Sequence, residues 1–243
     1  MLKGVCEYCK KDFRKREQKR RFCSLSCSSR FNKNGVKLIT LPAHDSDLAE
    51  LIGICLGDGC AWGYQTCITL GTVNDKTYIP YVVDLIRKIF PEVSISLVNR
   101  KNEKALDIRI NSKIATDFMK SMGIVSHNKQ VPAWIYKDPD CVKACLRGLI
   151  DTDGTFIIHK YSVKGRLYQY LKISFTNKSE NLLNFLDQGL RSMGIKSYRT
   201  YKYQVWIHNR EDVEKYLAVI GTGNIKENII KFQKSKPALQ SSA

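Results

Sequence analysis

The chain has 243 residues, 43% of them hydrophobic, enough for one large domain or two small ones and too many for a wholly disordered protein. Lys and Arg number 40 against 23 Asp and Glu, which gives a net charge of +17. This excess serves solubility, but its size favours a polyanionic partner, most commonly nucleic acid. No apolar run is long enough to span a membrane, and the polar first residues do not resemble a secretory signal, so we expect an intracellular protein.

Four of the nine cysteines lie close together near the N-terminus, in a C-x2-C pair followed by a C-x3-C pair: Cys6, Cys9, Cys23 and Cys27. Tetrahedral zinc takes four soft ligands, and two short cysteine turns supply two each. A segment of about thirty charged residues cannot build a core by itself, so a metal would hold it together. The alternative, two disulfides, is disfavoured in a reducing compartment.

Residues 1–37 are also the most basic part of the chain, with twelve basic and three acidic side chains. We interpret them as a zinc-binding module and linker whose cations contact phosphates without reading sequence. The arginines expected to do so are Arg14, Arg16, Arg20 and Arg21.

An internal repeat organises the rest of the chain. Residues 51–59 (LIGICLGDG) resemble residues 146–154 (LRGLIDTDG), 95 positions later. The repeat predicts two related halves, residues 46–138 and 139–235, with the join marked by Pro139.

Hydrophobic periodicity predicts the same order of elements in each half. Apolar residues at helical spacing predict helices over 75–90, 112–122, 179–193 and 211–219. Alternation with period two predicts strands around 106–110, 167–175 and 203–207, each with one apolar and one polar face. We therefore predict an α+β fold of two αββαββα halves with antiparallel sheets.

Each repeated segment ends with an acid and a glycine, Asp58-Gly59 and Asp153-Gly154. A carboxylate is unfavourable at the negative end of a helix dipole, and a bound cation would reverse the local field. Small residues four apart, Gly53 with Gly57 and Gly148 with Thr152, would let the two helices pack closely, so that their acids meet. Two carboxylates in one place suit Mg²⁺, which prefers oxygen ligands.

This pair of motifs resembles that of the LAGLIDADG homing endonucleases, in their single-chain, two-motif form. The second motif matches the family pattern at seven of nine positions, whereas the first has Leu56 where the family often has Asp but keeps the acid Asp58. The resemblance implies that the motif helices form the interface between the halves and that each half lays a curved sheet into the DNA major groove. It also implies that Asp58 and Asp153 hold Mg²⁺ or Mn²⁺ and that each directs cleavage of one strand.

The same resemblance assigns roles to further residues. Lys129 and Lys226 match the family's active-site lysines, and Asn74 and Asn177 match its water-orienting polar residues. We also expect the backbone carbonyls of Gly57 and Thr152 to contribute to the metal site, while Asp151 lies outside it.

The polar faces of the sheets are expected to contact DNA. Arg and Gln can pair with base edges, whereas Lys and Tyr more often contact phosphate. The candidates are Arg100, Lys101, Lys104, Arg109, Lys160, Lys164, Arg166, Tyr168, Tyr170, Lys172, Arg199, Lys202 and Gln204.

Two alternatives use the same scaffold: an RNA splicing maturase and a DNA-binding regulator that does not cleave. Retention of both motif acids argues against loss of cleavage but leaves a bifunctional maturase open. Because the halves differ, we expect a monomer on a long, non-palindromic DNA duplex.

Overall fold

The computed structural model describes residues 2–15, 18–34, 39–125, 129–200, 203–225 and 228–230. The chain divides into two compact units, Met1–Leu38 and Ile39–Ala243. Among the described residues, no helix has the length and apolar character that crossing a membrane requires.

The first unit is a hairpin followed by a helix. Strands β1 (Leu2–Val5) and β2 (Asp12–Lys15) pair antiparallel, with Val5 opposite Asp12. Helix α1 spans Leu25–Asn34. The fully buried thiol of Cys6 lies where the hairpin turns, so the turn and the start of α1 carry the cysteines.

The second unit contains two halves with the same order of elements. The first half consists of α2 (Ser46–Asp58), β3 (Gly59–Trp62), β4 (Gln65–Gly71), α3 (Tyr78–Ile89), β5 (Ser94–Asn99), β6 (Ala105–Asn111) and α4 (Lys113–Ser121). Its antiparallel sheet has the strand order β3-β4-β6-β5.

The second half follows a short 3-10 turn at Ile135–Lys137. It consists of α5 (Pro139–Asp153), β7 (Gly154–Val163), β8 (Arg166–Thr176), α6 (Glu180–Ser192), β9 (Tyr198–Thr200), β10 (Gln204–Ile207) and α7 (Arg210–Val219). Its antiparallel sheet has the equivalent order β7-β8-β10-β9. The predicted α+β class, with two αββαββα halves, is confirmed.

One predicted boundary is displaced. Helix α3 was expected from residue 75, but Thr72–Thr77 form turns and the helix begins at Tyr78. The Asp75 carboxylate accepts a hydrogen bond from the Gly71 amide at 2.9 Å, so it closes the end of β4 instead of opening the helix.

The helices α2 and α5 begin and end in the same way. Asp45 and Asp138 cap the N-termini by accepting hydrogen bonds from the Leu48 and Asp140 amides. At the other end each helix passes directly into a strand at a glycine, Gly59 or Gly154, in extended conformation. A Cβ at Gly154 would lie 2.2 Å from the Ile150 carbonyl oxygen, so the absence of a side chain permits this abrupt change.

Candidate active site at the paired helix ends

Helices α2 and α5 pack backbone against backbone. A Cβ added at Gly53 would lie 2.3 Å from the carbonyl oxygen of Cys145, and one added at Gly148 would lie 2.4 Å from that of Glu50. Both distances are far below van der Waals contact, so only glycine fits at either position. The predicted small-residue stripe is therefore the contact between the motif helices.

This packing brings the C-terminal ends of the two helices together. A Cβ at Gly57 would lie 2.1 Å from Oγ1 of Thr152 and 3.6 Å from Cγ of Asp153. The carboxyl group of Asp153 thus lies beside the residue that precedes Asp58. Both motif acids are partly exposed, so the paired helix ends present two carboxylates at an accessible surface. Their oxygen atoms are the ligand type that Mg²⁺ and Mn²⁺ prefer, and the donor set fits such an ion.

Asn177 holds the Asp153 carboxylate. Its side-chain amide donates to Oδ2 of Asp153 at 2.7 Å, while its own Oδ1 accepts from the Ser179 amide at 2.8 Å. The Asn177 backbone is fixed in turn by donation to the Tyr203 carbonyl at 3.0 Å. Asp153 consequently has a defined orientation before any ligand binds.

The first half presents a different side chain at the position of Asn177. Gly59 pairs with Ile68 as Gly154 pairs with Phe175, so the residue two places further along is Leu70 in one sheet and Asn177 in the other. Leu70 is buried and apolar. Asn74, which was expected to share the role of Asn177, lies in the exposed loop between β4 and α3.

Lys129 lies at the end of α2. Its ammonium group donates to the carbonyl oxygens of Leu56 at 2.7 Å and Gly57 at 2.9 Å. A cation at this end of a helix is favourable, and here it contacts the carbonyl of the residue that precedes Asp58. The Gly57 carbonyl, which was predicted as a metal ligand, thus accepts a hydrogen bond from Lys129. At Thr152, whose backbone carbonyl was the other predicted ligand, the side-chain hydroxyl donates to the carbonyls of Gly148 and Leu149.

Asn224 takes the equivalent place at the end of α5. Its amide donates to the Asp151 carbonyl, which corresponds to that of Leu56 in the repeat, at 3.0 Å. Asn224 is completely buried, and it also donates to Asp75 of the first half at 2.7 Å. Sequence reasoning missed it because the second half was expected to use Lys226, which lies outside the described residues, where the first uses Lys129.

Asp151 is a buried residue with a structural role. Its carboxylate accepts hydrogen bonds from the Thr222 hydroxyl and from the Gly223 amide at 2.7 Å. Burial raises the pKa of Asp151 to about 6, although these hydrogen bonds oppose the rise. The side chain therefore holds the loop after α7 against α5, and Asp153 is the accessible acid of this motif.

The outer face of the first sheet, turned away from its helices, is polar. Arg109 lies on it in β6, beside Asp107, and Arg100 lies where β5 ends and contacts the same aspartate. Lys101 and Lys104 are exposed in the β5–β6 turn.

The outer face of the second sheet is aromatic. Tyr168, Tyr170, Lys172 and Gln204 share it, as predicted from their alternation with buried neighbours. Side chains that the prediction did not include lie beside them: Tyr161 stacks on Tyr168 with centroids 5.3 Å apart, and Trp206 stacks on His208 at 5.2 Å. Alternation identifies a face, but cross-strand register is needed to show which aromatic rings meet on it.

The other predicted contacts of the second half are dispersed. Lys164 and Arg166 are exposed at the β7–β8 turn, and Lys160 is exposed on the opposite face of β7 from Tyr161. Arg199 lies on the helix side of the sheet, where it pairs with Glu180 of α6 at 2.8 Å. The outer face therefore does not include Arg199. Lys202 lies outside the described residues.

The four N-terminal thiols converge. The Sγ atoms of Cys6, Cys9, Cys23 and Cys27 all lie within 4.8 Å of one another. Those of Cys9 and Cys23 are 3.6 Å apart and those of Cys23 and Cys27 are 3.5 Å apart. Tetrahedral zinc with Zn–S bonds of about 2.3 Å needs sulfurs about 3.8 Å apart, so this cluster fits the ion.

The arginines around the cluster divide into two kinds. Arg20 donates to the carbonyls of Phe22 and Cys23 at 3.0 and 2.9 Å, and Arg21 pairs with Glu7 at 2.5 Å, so both brace the module. Arg14 is exposed on β2. Arg16 lies outside the described residues.

Comparison with known proteins identifies the fold of the second unit. Residues 140–221 match the family model of the LAGLIDADG-like domain. A search of the curated proteins gives no match. Among solved structures, variants of the homing endonuclease I-DmoI match with 17% identity and a TM-score of 0.51, over 72% of this chain and 95% of theirs.

Two further structures have the same fold. I-DmoI in complex with DNA and Ca matches with 19% identity and a TM-score of 0.51, over 72% of this chain and 88% of that one. Full-length DUF199/WhiA from Thermatoga maritima matches with 15% identity and a TM-score of 0.50, over 85% of this chain and 66% of that one. The second unit therefore has the two-motif LAGLIDADG fold.

Proposed function

We propose that this chain, which has the two-motif LAGLIDADG fold and a LAGLIDADG-like domain over residues 140–221, is a divalent-metal-dependent endonuclease for double-stranded DNA. The observation that carries the proposal is the backbone contact of α2 and α5 at Gly53 and Gly148, which brings the ends bearing Asp58 and Asp153 together. A structure of I-DmoI with DNA and Ca has the same fold and supports the choice of substrate and ion class.

The residues around the two acids have separable tasks. Asp58 and Asp153 would hold Mg²⁺ or Mn²⁺, which when bound supplies an activated water and stabilises charge on the phosphate. Asn177 fixes the orientation of the Asp153 carboxylate. Lys129 places a positive charge on the Gly57 carbonyl, one residue before Asp58, where it would attract a phosphate oxygen. Lys226 and Asn74 remain proposed contributors on the strength of the family resemblance.

The outer sheet faces and their exposed turns would contact the duplex. Arg100, Lys101, Lys104 and Arg109 offer cations in the first half, and Lys172, Arg166 and Lys164 do so in the second. Because one face is charged and the other aromatic, the two half-sites would differ in sequence. We therefore propose a monomer on a non-palindromic duplex.

The proposal is tested by selection of cleaved sites from a random duplex library with Mg²⁺ present. We expect to recover one non-palindromic site that is cut on both strands. Light scattering of the complex should give one chain per duplex. Binding without cleavage in Mg²⁺ and in Mn²⁺ would contradict the endonuclease and favour a regulator. A strictly palindromic site would contradict the monomer.

RNA binding is the second candidate. Stacking platforms for unpaired bases consist of aromatic side chains beside cations, and the second sheet carries Tyr161, Tyr168, Tyr170 and Trp206 near Lys172. Competition of single-stranded RNA against the selected duplex separates the two. RNA that displaces the duplex at equal concentration would favour the maturase.

We also propose that the N-terminal cysteines bind one zinc ion per chain. Elemental analysis should find one zinc in the freshly purified protein and none in the Cys9→Ser/Cys23→Ser variant, whereas Cys60→Ser in the first sheet should keep it. Wild-type protein without zinc would contradict the proposal.

Deleting residues 1–37 removes twelve basic and three acidic side chains, so DNA binding should weaken and depend less on salt. The preferred site should not change.

A further inference from the structure

An acidic side chain lies in the middle of the face that the proposed function turns toward DNA. Asp107 is on β6, on the same face as Arg109, and pairs across the sheet with Thr69 of β4. The residue is only 6% exposed. A carboxylate that faces a polyanion weakens binding, so its presence here calls for a compensating role.

That carboxylate is fully engaged with two arginines and a threonine. Oδ2 accepts from Nη2 of Arg109 at 2.9 Å, and Oδ1 lies 3.2 Å from Nε of Arg100. The Thr69 hydroxyl donates to Oδ1 at 3.0 Å. Burial opposes ionisation, but the hydrogen bonds from Arg109 and Thr69 and the charge of Arg100 outweigh it and lower the pKa of Asp107. Asp107 is therefore a permanent anion near neutral pH.

The two arginines keep part of their donor capacity for a ligand. Their side chains are 34% exposed for Arg109 and 45% for Arg100. A guanidinium group has five N–H donors, and Arg109 gives one nitrogen to Asp107. Arg100 also pairs with Glu103 at 2.9 Å, but both partners are exposed, and an ion pair of that kind is easily exchanged.

We propose that Asp107 is a positioning residue that holds Arg100 and Arg109 ready to read two guanines in one half-site. The inference rests on the proposed function. Arginine pairs in a bidentate manner with O6 and N7 of guanine, and a side chain already fixed in that position loses less entropy on binding. Both guanidinium groups contact one carboxylate, and consecutive bases along a strand are about 3.4 Å apart. The two guanines should therefore lie within one or two base-pair steps of each other.

Site selection with matched variants tests this. Asp107→Asn removes the anion, and Arg100→Lys and Arg109→Lys keep the charge but lose the planar fork. Asp117→Asn removes a similar charge from α4, where Asp117 pairs with Lys113, and is the control. Each variant is assayed by thermal melting, by site selection from a random duplex library, and by binding to the selected and a random duplex.

The lysine variants should each relax one position, and Asp107→Asn should relax the same two positions together. Its ratio of specific to random binding should fall about tenfold to a hundredfold. Binding to the random duplex should strengthen, because a negative charge is removed, and Asp117→Asn should keep the wild-type preference.

An Asp107→Asn variant that melts like wild type and selects the same bases would overturn the inference while leaving cleavage intact. Relaxation at cytosine instead of guanine would show that Asp107 reads the base itself. A wild-type chain that binds no duplex would overturn the proposed function as well.

Discussion

Replacing Asp58 or Asp153 with asparagine is expected to reduce double-strand cleavage by about a thousandfold or more, because each variant loses one of the two carboxylates that would hold the metal. Folding and DNA binding should persist. Each acid stands at the negative end of its helix, so removing its charge relieves a repulsion of a few tenths to about 1 kcal/mol. At position 153 an asparagine oxygen can still accept the hydrogen bond from Asn177.

Matched controls come from the opposite ends of the same helices. Asp45 and Asp138 cap α2 and α5, and asparagine caps a helix as well as aspartate does. Asp45→Asn and Asp138→Asn should therefore cleave at the wild-type rate while changing the charge of the same helices equally. Plasmid cleavage in Mg²⁺ and gel-shift binding measure the two properties separately. Near wild-type cleavage by either motif variant would show that the substituted acid is not part of the active site.

Introducing a methyl group between the motif helices should destabilise the protein strongly. In Gly53→Ala the new Cβ would lie 2.3 Å from the Cys145 carbonyl oxygen, and in Gly148→Ala it would lie 2.4 Å from that of Glu50. Backbone atoms of a buried helix cannot move aside as a flexible side chain does. We expect the free energy of unfolding to fall by about 3 kcal/mol. The corresponding decrease in Tm is roughly 6 to 12 °C.

Gly189→Ala is the control for helix propensity. Gly189 lies inside α6, and its Cβ would meet side-chain atoms of Leu146 and Val142, which can rotate away. All three substitutions gain about 1 kcal/mol of helix propensity, so only the contact differs. In thermal melts the Gly189→Ala variant should have a clearly higher Tm than the other two variants. Equal stabilities would show that α2 and α5 do not approach as closely as the structure has them.

The sequence determined the fold class and the place of the motif helices. Its hydrophobic period alternates between helix and strand in the same order twice, and the repeated segments at 51–59 and 146–154 fixed which elements correspond. The glycines at 53 and 148 indicated the close helix contact because a missing side chain is visible in sequence. Local periodicity and residue size are properties of a segment and its neighbours along the chain, so they can be read without coordinates.

Only the tertiary structure decided which side chains have partners. Asn224 reaches Asp75 of the other half, Arg199 pairs on the helix side of its sheet, and Asp107 gathers Arg100 and Arg109. Strand register gives Asn177 the buried Leu70 as its counterpart in the first sheet, while Asn74 lies in the loop that follows. A hydrogen bond depends on a few tenths of an ångström between residues up to 149 positions apart. Such distances follow from packing and register, which no local pattern specifies.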